Sequence, residues 1–186
     1  DYATVKYNAS GVQQWATIYN NSANKNDIAY SLALDGSGNV YVTGTSEGSI
    51  SKYDYATVKY NSAGVQQWVT RYNGGKNDYA RSIVACDAEA SVFVTGGSEQ
   101  GSTKKFDYIT QRLAMSDGTE EWLGDYNGAS SKIDIAYNIV ASSSNCAIVI
   151  AGTSDGGTTK LDIATLHGSP DVALPLATTK GLHSSY

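Results

Sequence analysis

Residues 54–68 read DYATVKYNSAGVQQW, and residues 1–15 read DYATVKYNASGVQQW. The two stretches lie 53 positions apart and differ only in the order of one Ala and one Ser. A chain that writes fifteen residues twice is copying a structural unit, so the repeat decides the fold. Four marks recur in a fixed order. The first is Asp-x-x-Thr, as DYAT at 1 and 54, DYIT at 107 and DIAT at 162. The second is tryptophan, at Trp15, Trp68 and Trp122. The third is Asp-x-Ala, as DIAYSLALD at 27, DYARSIVAC at 78 and DIAYNIVAS at 134. The fourth is VYVTGTS at 40, VFVTGGS at 92 and IVIAGTS at 148, which place Gly44, Gly96 and Gly152 at matching points. Length changes fall between the marks, as surface loops allow.

Each unit holds four short strand candidates. In the middle of the chain these are Tyr55–Tyr60, Val65–Tyr72, Tyr79–Ala85 and Val92–Gly97. Turn chemistry divides them, as in Asn-Ser-Ala-Gly at 61–64 and Asp35-Gly-Ser-Gly-Asn39. No stretch of about ten residues keeps helical apolar spacing, so no helix is expected. In AYSLALD, strict alternation sets Tyr30, Leu32 and Leu34 against Ala29, Ser31 and Ala33. Both faces look packable, and a small four-stranded sheet covered on both faces is a propeller blade. The divisions are a half-blade over 1–26, blades over 27–73 and 74–127, an atypical terminal blade over 128–178 and a tail over 179–186. At a period of 53, the 186 residues give about 3.5 units.

The stretch AYSLALDGSGNVYVTGTSEG, followed by YDYATVKYNSAGVQQW, resembles the SBBP repeat, the seven-bladed β-propeller repeat of bacterial secreted and surface proteins. The resemblance runs to about Leu166. It implies a propeller fold and an extracellular or cell-surface setting, and it implies no chemistry. The expected fold is therefore all-β, in β-propeller-type blades of four antiparallel strands. Closed propellers carry about 4–8 blades. The ring would be completed by another chain or by the rest of a larger propeller, or the blades would stack as an open array. The chain starts at Asp1 in mid-unit, which suggests processing or excision from a longer chain. The tail HGSPDVALPLATTKGLHSSY suggests a cap, with a short strand at Asp171–Thr178 held to an edge by Pro175.

Composition narrows function. The net charge is −5, with no basic patch, so no nucleic-acid partner is expected. The longest apolar run, Cys146–Ala151, is far short of the roughly 18 residues of a membrane helix. No membrane insertion is expected. Cys86 and Cys146 lack zinc-ligand spacing and read as buried free thiols, with a disulfide as the alternative. Neither a metal nor another cofactor is expected.

Asp27, Asp78 and Asp134 open equivalent strands, and they read as turn caps in preference to a ring of cation ligands. Asp1, Asp54, Asp107 and Asp162 read the same way. A catalytic acid pair would not be printed once per blade. The Asp35–Asn39 turn lacks the bidentate carboxylate of a calcium loop. Trp15, Trp68 and Trp122 are candidate sugar-stacking platforms, with core packing between blades as the favoured reading. Tyr19, Tyr72 and Tyr126, four residues further on, support packing. His167 and His183 lie in the tail without a triad context, and GTSEGS follows a strand without opening a helix. The sequons at Asn8 and Asn20 read as chance matches in an Asn-rich chain.

Three function classes stand. The first is a non-enzymatic, structural or adhesive protein whose partners are other copies of itself, assembling through open blade edges. The second is a carbohydrate-binding module with one aromatic platform per blade. The third is part of a larger propeller enzyme.

Overall fold

The computed structural model describes residues 1–49, 52–101, 105–128, 132–155, 161–168 and 177–178. Its strands are β1 (Tyr2–Tyr7), β2 (Gln13–Tyr19), β3 (Asp27–Leu34), β4 (Val40–Glu47), β5 (Tyr53–Tyr60), β6 (Gln66–Tyr72) and β7 (Asp78–Cys86). Then follow β8 (Ser91–Gln100), β9 (Lys105–Ala114), β10 (Glu120–Tyr126), β11 (Asp134–Ala141), β12 (Ile148–Asp155), β13 (Leu161–Gly168) and β14 (Ala177–Thr178). One turn of 3-10 helix, Asp87–Glu89, interrupts the hairpin between β7 and β8. The remaining residues of the expected edge strand, the tail over 179–186 and His183 lie outside the described residues.

The fold is all-β. Strands β3–β4–β5–β6, β7–β8–β9–β10 and β11–β12–β13–β14 form three four-stranded antiparallel sheets, each ordered as in the sequence. Strands β1 and β2 form a two-stranded sheet. Among the described residues no sheet closes on itself; the ladders end at their edges. The meander follows from the hairpin turns. In the β5–β6 turn, the Asn61 side chain accepts from the N–H groups of Ala63 and Val65, and Gly64 takes φ +83°.

The sheets stack face to face, and each interface is a separate apolar cluster. Tyr2 and Tyr19 of the first sheet meet Val40, Val42, Ala56, Val58 and Tyr60 of the second. Tyr41, Tyr55 and Trp68 of the second meet Ile83, Val94, Ile109 and Leu113 of the third. Phe93 and Tyr108 of the third meet Ala136, Ile139, Ile148 and Ile150 of the last. Burial of both faces is the reason these strands lack the polar side of a solvated sheet.

Two expectations are corrected. Strict alternation along AYSLALD fails, because the register shifts between Ala29 and Ser31 and leaves Tyr30 as an extra residue. The same bulge occurs between Ala80 and Ser82 and between Ala136 and Asn138. A bulge reverses the parity, so Ala80 and Ile83, three apart, share one buried face. Cys86 and Cys146 are not free thiols; they form a disulfide with a Cα–Cα distance of 5.9 Å. The stacking of blades brings the end of β7 beside the β11–β12 turn. A separation of 60 residues could not reveal that from sequence.

Candidate functional site

The repeated residues form contacts between blades. The Trp15 indole N–H donates to the Ser62 carbonyl at 3.1 Å, and the Trp68 N–H donates to the Met115 carbonyl at 3.2 Å. Both acceptors sit in the outer turn of the next blade. The rings lie on the turn glycines: a Cβ on Gly64 would come within 2.6 Å of Trp15, and one on Gly118 within 2.7 Å of Trp68. Trp122 packs against Phe93 with ring centroids 6.1 Å apart. The first two indoles are thus seated on the neighbouring blade.

The tyrosine of each DYxT start bridges blades as well. Tyr2 donates its hydroxyl to the Ala56 carbonyl at 3.2 Å, and Tyr55 donates to Ile109 at 3.3 Å. Burial pushes the Tyr55 hydroxyl pKa well above its usual value. Within each blade, Tyr19, Tyr72 and Tyr126 stack on Tyr2, Tyr55 and Tyr108 with centroids 5.2–5.4 Å apart.

Gly44, Gly96 and Gly152 face the bulges: they pair with Ala29, Ala80 and Ala136. A Cβ on Gly96 would collide with the Tyr79 carbonyl and would lie 2.8 Å from the Tyr55 hydroxyl. The glycine is therefore a consequence of the bulge.

The aspartates of the Asp-x-Ala strands accept backbone N–H groups from the preceding loop. Asp27 accepts from Asn21, Asp78 from Gly74 and Asp134 from Gly128, at 2.7–3.0 Å. Asp78 also accepts the Ser98 hydroxyl at 2.5 Å. Desolvation outweighs those bonds and raises the Asp78 pKa to about 6. Asp54 pairs with Arg71 at 2.6 Å, and Arg71 also donates to the Ser46 hydroxyl and carbonyl. In the next blade Asp125 occupies the place of Arg71. Asp107, the counterpart of Asp54, lacks that arginine; burial, then Asp134 and Asp125, raise its pKa to about 6 against the charge of Lys105. Asp1 is exposed, and Asp162 starts in β13 without a described side chain. Among the described residues, no group of three or more His, Cys, Asp or Glu side chains could hold a metal ion.

A polar cleft of about 350 Å³ opens beside the first blade, lined by Asn21, Ser22, Gly48, Asp54, Arg71 and Asn73 among others. A second feature departs from the repeat. Tyr79 stands where the other blades have Ile28 and Ile135, and Arg81 stands where they have Tyr30 and Tyr137. The Arg81 guanidinium lies 4.9 Å over the Tyr30 ring and 5.6 Å over the Tyr79 ring. Tyr79 in turn meets Tyr53 and Phe106, each with centroids 5.7 Å apart. The signal for this cluster was in the sequence, as the two positions where the middle blade breaks its own pattern.

These features define a β-propeller-type repeat protein: bladed sheets, packing residues copied once per blade, and a small unrepeated surface. Residues 14–50, covering most of β2 and all of β3 and β4, match the family model of SBBP, a beta-propeller repeat. The resemblance read from the sequence thus holds over residues 14–50. No curated protein matches the chain.

Proposed function

We propose that this chain is a non-enzymatic, extracellular scaffold that assembles with other copies of itself through its uncovered blade faces. One observation carries the reading. Ile83 and Ile139 are 5% and 4% exposed because the inner strands of a preceding blade cover them. Leu32, the matching residue of β3, is 58% exposed, and Leu34 beside it is also exposed. Strands β1 and β2 cover β4 and β5 of that sheet through Tyr2, Tyr19 and Trp15 and leave Leu32 and Leu34 of β3 open. At the other end of the stack, Val140 is exposed, whereas its counterparts Val84 and Ala33 pack against the next blade. Leu32 and Val140 are repeat-equivalent to residues that meet across neighbouring blades inside the stack, Ile83 with Ala33 and Ile139 with Val84. A contact of that kind is head-to-tail, and it makes rings or filaments.

The disulfide supports an extracellular address, since such bonds persist in oxidising compartments. The test is the mass of the protein in solution against concentration, with Leu32→Glu and Val140→Glu as variants. The reading expects multimers in the parent chain and monomers in each variant. A parent chain that stays monomeric at all concentrations would refute it.

A further inference from the structure

In a repeat protein, residues printed in every blade are explained by packing. Residues that break the pattern without improving the packing are the ones to question. The middle blade breaks it with Tyr79 and Arg81, both half-buried, on β7. Arg81 is the extra residue of its bulge, and bulges commonly re-aim a side chain beside a binding site. Its guanidinium is flanked by Tyr30 and Tyr79, and its Nε–H is buried with no acceptor. None of the ion pairs among the described residues includes Arg81. The guanidinium charge is thus left for an outside partner, and a guanidinium answers a planar carboxylate best.

The neighbouring groups narrow the ligand. Tyr53, Tyr79 and Phe106 form a row of half-exposed rings along the rim where β5, β7 and β9 begin. Aromatic faces of this kind suit the C–H faces of a sugar ring. The cleft holding Asn21, Ser22 and Asn73 belongs to loops of the same rim, and its amides and hydroxyl suit a polyol.

We propose that Arg81, Tyr30 and the ring row bind an acidic saccharide, with the carboxylate of a uronate unit on the guanidinium and its ring on the aromatic side chains. This differs from one platform per blade: the site is single and lies across two blades, and it does not rest on the assembly reading.

The test is calorimetric titration of the protein with oligogalacturonate and with its methyl ester, which keeps the sugar and removes the charge. Saturable binding of the acid is expected, weakened about tenfold or more by esterification and by Arg81→Gln. Arg81→Lys should recover only part, because an ammonium lacks the planar fork. Tyr30→Ala, at an exposed ring, should also weaken binding while the circular dichroism stays that of the parent. The proposal is overturned if the acid shows no saturable binding, if the ester binds equally, or if folded Arg81→Gln binds as the parent does.

Discussion

Trp68 performs two tasks at one position: its ring fills the interface between two blades, and its N–H satisfies a carbonyl of the next one. The tasks separate by substitution. Trp68→Ala should lower stability by about 3–5 kcal/mol, as a large buried side chain is lost. Trp68→Phe should lower it by about 1 kcal/mol, because Lys59 still donates to the same Met115 carbonyl. Urea unfolding of both variants measures the split. Asp107 gives a pH prediction. Its folded pKa of about 6 lies above the unfolded value near 4, so the folded state holds the proton more tightly. This group therefore lowers stability as pH rises from about 4 to about 6, and Asp78 acts in the same direction. Asp107→Asn should raise the Tm at pH 7.5 and leave it nearly unchanged at pH 4. A variant that melts as the parent does at both pH values would contradict this assignment. The packing tryptophans were legible because they recur at a fixed place in each unit. The raised pKa of Asp107 was not, because it depends on burial and on Asp125 replacing Arg71 across a strand pair.

At the scale of elements, the strands were legible and their ends less so. Ladder bonding carries β8 on through Gln100, past the apolar residues that mark it in sequence. The bulges were hidden, because an extra residue leaves an apolar pattern that still looks alternating. Their consequence is testable. Gly96→Ala places a methyl group against the Tyr79 carbonyl opposite the bulge and should destabilise by about 3 kcal/mol or more. Gly75→Ala meets nothing within 4 Å but sits at φ +93°, so backbone strain alone should give about 1 kcal/mol. Thermal melts of the two variants compare close approach with strain. The disulfide joins consecutive blades across 60 residues. In the chain-entropy account its closure contributes about 4 kcal/mol. Reduction, or Cys86→Ser with Cys146→Ser, should lower the Tm while the strand signature in circular dichroism remains at low temperature. An unchanged Tm on reduction would remove the bond from the stability of the stack.

For the whole molecule, the period was readable from spacing alone, and the three four-stranded sheets and the β1–β2 pair of the described residues follow it. What covers the outermost faces was not readable, because burial of a repeated residue depends on the neighbour it meets. Leu32 and Ile83 hold the same place in their strands, yet one is exposed and the other enclosed. The unrepeated cluster around Arg81 belongs to this scale too, as it exists only where two blades differ from their copies. Assembly through the exposed face of β3 is tested by sedimentation velocity of the parent chain and of Leu32→Glu over a range of concentrations. The parent chain should sediment as multiples of 19.7 kDa that grow with concentration, and the variant as one mass. A parent chain at 19.7 kDa throughout, indistinguishable from Leu32→Glu, would contradict it.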